Sequence, residues 1–217
     1  MCIRDRISTS GIENLRDGEM RRERSSLRIQ ISNDGWSWPT GGALTLAGAL
    51  AGQGLRGAAL FQAARSQAAH HIQLAAMTEQ LPDPANRITL DRQRRDRFGV
   101  PLPRLHYRVG AYSRAGLAAA QAAHDDIFKR LNATAIQHHA DYQGAGHIIG
   151  TCRMGADPAA SVVDRDCRSH EHPNLFLLGS AVFPTSATAN PSLTIAALCL
   201  RAVGAIEQTL RDSPAGG

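Results

Sequence analysis

The sequence is poor in aromatic residues, at 5% of 217 positions, and its four cysteines stand far apart. Cys2, Cys152, Cys167 and Cys199 form no CxxC pair, so zinc-ligand spacing is absent and a disulfide framework does not suit this length. The thiols read as free. Arginines gather at 21–28 and 92–97, but no aromatics interleave them and no nucleic-acid reader motif stands near. These clusters read as solvated faces rather than nucleic-acid contacts, and an acidic segment elsewhere would balance the net charge of +5. No apolar run reaches the roughly 20 residues of a membrane span. The longest candidate, Gly41–Leu60, is broken by glycines, Gln53 and Arg56, and reads as a packed helical segment. The opening "MCIRDRIST" carries charge without an apolar core, so it does not read as a secretory signal.

What is present fits an ordinary globular chain, 43% hydrophobic and 20% charged. Residues 1–26 show no hydrophobic period and are expected to be irregular. In "SLRIQIS" the alternation of Leu27, Ile29 and Ile31 predicts a half-buried strand. The turn-rich "NDGWSWPTGG" predicts a loop, and helices are expected at about 42–52 and 56–78. "NRITL" and Leu105, Tyr107 and Val109 read as strands. Ser113 is placed as the cap of a helix from Arg114, with Leu117, Ala120, His124, Ile127, Phe128 and Leu131 on its apolar face. Long connections between the strands predict an α+β arrangement, a mainly antiparallel sheet covered on one side by helices. Further on, Leu175–Leu178 reads as a strand buried on both faces. Asn190 and Pro191 then stand as N-cap and first residue of a helix, apolar nearly all round and therefore expected to be buried.

"GAGHIIGTCRMG", Gly144–Gly155, comes close to a dinucleotide-binding glycine fingerprint. The glycine spacing is one residue too long, polar residues precede it and turn residues follow, so a phosphate loop is rejected. That leaves its histidine, His147, as the candidate. The histidines at 138, 139, 170 and 172 lack ligand spacing and read as surface residues, so no metal site is expected. His106 and His124 read as packing residues, and Glu79, Asp125 and Asp126 as solvated.

The ordered set "HIIGTCRMG", "SVVDRDCRSHEHPNLFLLGSAVFPT" and "NPSLTIAALCLRA" resembles the carboxyl-terminal signature of the glucose–methanol–choline (GMC) family of flavin oxidoreductases. "EQLPDPANRITLD", "FGVPLPRLHYRV" and "YSRAGL" resemble the same family's substrate domain, and the likeness is greatest to large, flavin-bearing subunits of sugar and gluconate dehydrogenases. The resemblance implies an FAD cofactor and oxidation of a CH–OH group of a sugar, sugar acid or polyol. It implies that His147 faces the flavin as catalytic base and that Asn190, where the last helix begins, is its catalytic partner. Gly179, Ser180, Ala181 and Val182 would run beside the ribityl and diphosphate portion. Gly179 stands where many members carry an acidic residue. Asn190, Pro191, Ser192 and Thr194 would present a helix amino terminus to the reduced ring's negative charge.

Chemically the pair makes sense, because an imidazole can take a hydroxyl proton at neutral pH. A carboxamide can hold the developing alkoxide. The expected organisation is an irregular start at 1–26, a substrate domain at 27–142, the carboxyl-terminal strand and buried helix of an incomplete FAD-binding α/β domain at 143–211, and a tail at 212–217. "MCIRDR" resembles a sequencing-adapter remnant, and no glycine fingerprint precedes the substrate domain, so the chain is expected to be a fragment, inactive alone, that lacks its amino-terminal FAD-binding segment. The resemblance further implies a haem-bearing electron-acceptor subunit and a peripheral place on the periplasmic side of the membrane, with the cytoplasm as the alternative. A flavin oxidase or choline-type dehydrogenase of the same family, or a non-catalytic module retaining the fold, are the rival readings.

Overall fold

A computed structural model describes residues 10–12, 15–32, 42–139, 141–142, 144 and 146–212. The loop predicted at 33–42 lies, apart from Gly42, outside these residues. The fold is α+β, and it divides into two interleaved compact units, residues 1–78 with 114–143 and residues 79–113 with 144–217.

In the first unit, β1 (Ser10–Ile12), β2 (Leu27–Ser32) and β3 (Gln73–Thr78) form an antiparallel sheet in that order. The alternation read in β2 is real: Leu27 and Ile29 are fully buried. They face Ala119, Ala120, Ala123 and Ile127 of α3 (Ala111–Arg130). Small residues let this helix approach closely. A β-carbon on Gly116 would come within 3.1 Å of the Ser25 carbonyl oxygen. α1 (Ala43–Gly52) and α2 (Gly57–His70) form a separate pair, with Leu46 and Leu50 against Leu60, Ala63, Ala64 and Ala68.

Three expectations change here. The irregular start contains β1, which pairs Ile12 with Ile29. The second helix stops at His70 instead of running to 78, because 73–78 pairs along the full length of β2, Leu74 opposite Ile31 and Thr78 opposite Leu27. Helix-favouring "QLAAMT" yields to a sheet edge that needs hydrogen-bond partners. Ser113 lies inside the first turn of α3, not at a cap: it is buried and donates to the Glu79 carbonyl at 3.1 Å.

In the second unit, β4 (Arg87–Arg95) and β5 (Pro101–His106) form an antiparallel ribbon with Ile88 opposite Leu105. Asn86 and Arg108 close its base by exchanging two hydrogen bonds of 2.8 and 2.9 Å. Glu79, read as solvated, is buried, and its carboxylate accepts from the Tyr112 hydroxyl at 2.8 Å. The remaining core joins Val163, Cys167, Val182 and Phe183 to Ile195, Leu198 and Ala202 of α4 (Ser192–Asp212). Full burial of Val163 and Val182 contributes about 1.5–3 kcal/mol each.

Residues 175–178 are not a two-faced strand. Leu175 and Leu178 are exposed, and backbone pairing joins the segment to 167–169 along one edge, through Leu177 N to Cys167 O at 2.9 Å and Ser169 N to Leu175 O at 2.8 Å. Nor is α4 buried all round. It sets one stripe into the core, while Leu193, Leu200, Val203 and Leu210 are exposed. By length and composition α4 could cross a membrane, but that core stripe is the pattern of a helix packed on its own unit.

Candidate active site

The frame under the site is a turn built by Asp164. Its carboxylate accepts from the backbone N–H groups of Asp166 at 2.8 Å and Arg168 at 3.0 Å. This turn holds α4 from outside: Asp166 pairs with Arg201 at 3.1 Å, and Arg168 donates to Thr209. Cys167, at the turn's end, is buried, and burial pushes its thiol up from the ordinary range, with Asp164 adding to the shift. It is a protonated core residue, not a nucleophile.

Above this frame runs the segment that carries His147. Gly150 N donates to Ser180 O at 3.3 Å, Cys152 N to Ala181 O at 2.8 Å, and Met154 N to Val182 O at 2.8 Å. Alternate residues of this irregular segment thus meet consecutive carbonyls of the short 3-10 turn Ser180–Val182. The Ser180 hydroxyl adds a fourth link, donating to Ile148 O at 2.7 Å, one residue beyond His147. Gly150 is required by this approach. Its φ is +77°, and a β-carbon there would lie 3.1 Å from Phe183 O. The glycine that imitated a phosphate loop in the sequence is therefore a packing residue.

The turn's three carbonyls are spent on 150–154. Among the described residues no acceptor meets the N–H groups of Ser180 and Ala181, so this turn offers a donor pair. Gly179 enters it at φ +101°, a conformation favouring glycine, and a β-carbon there would meet nothing within 4 Å. Val182 faces the opposite way, fully buried in the core. Its side chain holds the turn in place.

The structure thus brings the His147 segment beside Ser180, Ala181 and Val182. His147 is exposed, as are Asn190, Ser192 and Thr194, and Pro191 is half-buried. Ile195 N donates to Pro191 O at 2.9 Å, which puts the start of α4 at Ser192, one residue after the sequence reading. Apolar side chains stand exposed beside both polar candidates: Ile148 next to His147, and Leu193 at the mouth of α4.

Sequence reasoning missed two contributors. Thr188, two residues before Asn190, is buried with its hydroxyl unpartnered among the described residues. His170, read as a surface residue, is half-buried and fixes the 155–170 loop through Ser161 Oγ at 3.0 Å and Gly155 O at 3.1 Å. Spacing gives no signal for either. No group of three metal-ligating side chains converges among the described residues.

The family model described as GMC oxidoreductase matches residues 82–199, a stretch that includes His147, the 179–182 turn and Asn190. The chain is 37% identical over 207 residues to the fructose dehydrogenase large subunit of Gluconobacter japonicus, covering 95% of this chain and 37% of that protein. It is 35% identical to paromamine 6'-oxidase of Streptomyces fradiae, over 58% of this chain and 23% of that protein. It is 28% identical to the gluconate 2-dehydrogenase flavoprotein of Pantoea cypripedii, over 67% of this chain and 25% of that protein. The matched chain therefore spans between about a quarter and somewhat over a third of these relatives' lengths.

Proposed function

The chain belongs to the GMC oxidoreductase family, and from that premise we propose that it carries the catalytic part of an FAD-dependent enzyme oxidising a CH–OH group of a sugar, sugar acid or polyol. One observation carries the reading. The segment bearing His147 is fixed by three backbone hydrogen bonds against a turn whose Ser180 and Ala181 N–H groups have no acceptor among the described residues. The names of the relatives support the substrate class, since fructose and gluconate each present secondary or primary alcohols.

The residues present fit the cofactor. The N–H groups of Ser180 and Ala181 suit an anionic diphosphate. The amino terminus of the 21-residue α4, at Ser192–Thr194, suits the ring's negative edge. FAD, when bound, supplies the acceptor for the hydride that leaves the substrate carbon. An imidazole nitrogen of His147 takes the hydroxyl proton, and the Asn190 carboxamide donates to the oxygen as it gains charge. Ile148 and Leu193, exposed and adjacent in sequence to the site, would become apolar walls beside the two polar groups once cofactor and substrate cover them. The Gluconobacter relative is a large subunit. In keeping with that, a haem-bearing partner subunit is proposed as electron acceptor, with the chain peripheral on the periplasmic side of a membrane. An amino-terminal segment supplies the rest of the FAD site.

The test uses the complete protein. His147→Ala should lower turnover at least about a hundredfold while flavin content is retained. Equal loss of both would make the residue structural and favour a non-catalytic module. Relatives are named as both oxidases and dehydrogenases. Peroxide production against reduction of an artificial acceptor therefore separates the two, and the dehydrogenase outcome is expected.

A further inference from the structure

We propose that the tip of the β4–β5 ribbon is an anionic-lipid docking loop, a function independent of the catalytic reading. Residues 87–106 hold six arginines against two aspartates, leaving +4 of the chain's +5. Both aspartates are consumed in shaping the tip. Asp91 accepts from Gln93 N and Arg94 N at 2.9 and 3.0 Å, and these bonds hold its carboxyl below the usual range. Asp96 accepts from Phe98 N and Val100 N at 2.8 and 2.9 Å.

Arg92, Arg94, Arg95 and Arg97 are all exposed, and no carboxylate among the described residues forms an ion pair with them. The register shift between Leu90 and Arg95 leaves residues 91–94, with Arg92 and Arg94, facing only Leu102 of the opposite strand. The apex is apolar. Phe98 is 75% and Val100 56% exposed, and the Arg97 guanidinium lies 4.5 Å from the centre of the Phe98 ring.

This layering, arginines behind an aromatic and an aliphatic side chain, matches a bilayer surface, where phosphates lie outside hydrocarbon. Guanidinium groups meet phosphates in bidentate fashion. A stable protein interface needs about 20–30 residues a side, more than a convex ten-residue turn offers.

The experiment is co-sedimentation of the full chain with vesicles of phosphatidylcholine containing roughly one third phosphatidylglycerol. Binding should be at least about tenfold weaker to pure phosphatidylcholine. Arg95 also donates to Gly99 O at 2.7 Å and shapes the turn, so the charge variant spares it. Arg92→Gln with Arg94→Gln and Arg97→Gln should reduce anionic-vesicle binding at least about tenfold. Phe98→Ser, which alters no charge, should reduce it about three- to tenfold. Circular dichroism identical to the parent's checks both folds. No sedimentation, or sedimentation indifferent to the three arginines, overturns the proposal. So does arginine-dependent binding without a Phe98 effect when heparin binds equally well, the result for a soluble acidic partner.

Discussion

Single residues set the geometry of the candidate site, and Gly150 is the sharpest case. It combines a left-handed backbone, φ +77°, with a carbonyl 3.1 Å from where a β-carbon would stand. Gly150→Ala should therefore lower stability by about 1–3 kcal/mol. Gly144→Ala, at a position with open space and no left-handed φ, should be near neutral. Denaturant midpoints of the two variants measure the contrast, and equal midpoints would show that the 150–183 approach relaxes freely. Asp164 makes the same point with a side chain. Asp164→Ala leaves the N–H groups of Asp166 and Arg168 without their acceptor and should cost about 1–2 kcal/mol, read from the same transitions. The sequence displayed both residues, but it displayed Gly150 as a near-miss of a phosphate loop. Only the carbonyl of Phe183, 33 positions away along the chain, reveals its purpose.

Elements were legible where a period and a local rule agreed. β2 alternates, and its inward residues are the buried ones. The apolar face of α3 was legible from spacing alone, through Leu117, Ala120 and Ile127, although its start was not, because Ser113 serves Glu79 rather than a cap. β3 was hidden, since alanine, leucine and methionine favour helix and only the waiting edge of β2 overrules them. α4 carries the reverse lesson. Its sequence reads as apolar nearly all round, while its contacts choose one stripe, Ile195, Leu198 and Ala202. That choice is testable within the chain. Ala202 is fully buried, so Ala202→Leu overpacks the core and should cost about 1–3 kcal/mol. Leu200 is 76% exposed, so Leu200→Ala should change stability by no more than about 0.5 kcal/mol. Thermal unfolding of both variants decides it, and a larger loss at Leu200 would mean that α4 packs through its other face.

For the whole molecule, chain order does not divide the structure: residues 79–113 group with 144–217, and 114–143 return to the first unit. The sequence marks the first crossing, where the alanine-rich stretch ends and Pro82 and Pro84 follow, but the return at 114 falls inside the continuous helix α3 and carries no such sign. The first unit also holds a group that makes its stability sensitive to acid. His124 lies on the inward side of α3, and its Nε2 is buried with no hydrogen-bond partner among the described residues. Burial holds this imidazole below its ordinary value of 6.5. His138, paired to Asp125 at 2.9 Å, lowers it further, and Asp125 pulls weakly the other way. In the unfolded chain His124 takes its proton as pH falls through 6.5, while the folded chain resists until a lower pH. The unfolded state binds more protons across that window, so stability is intact above 6.5 and declines below it. One proton sets the ceiling on this contribution, about 1.4 kcal/mol per pH unit. His124→Leu keeps the apolar face and removes the titration, so urea midpoints measured from neutral pH downward should fall less steeply than the parent's. Parallel slopes for the two proteins would assign the acid loss to groups other than His124.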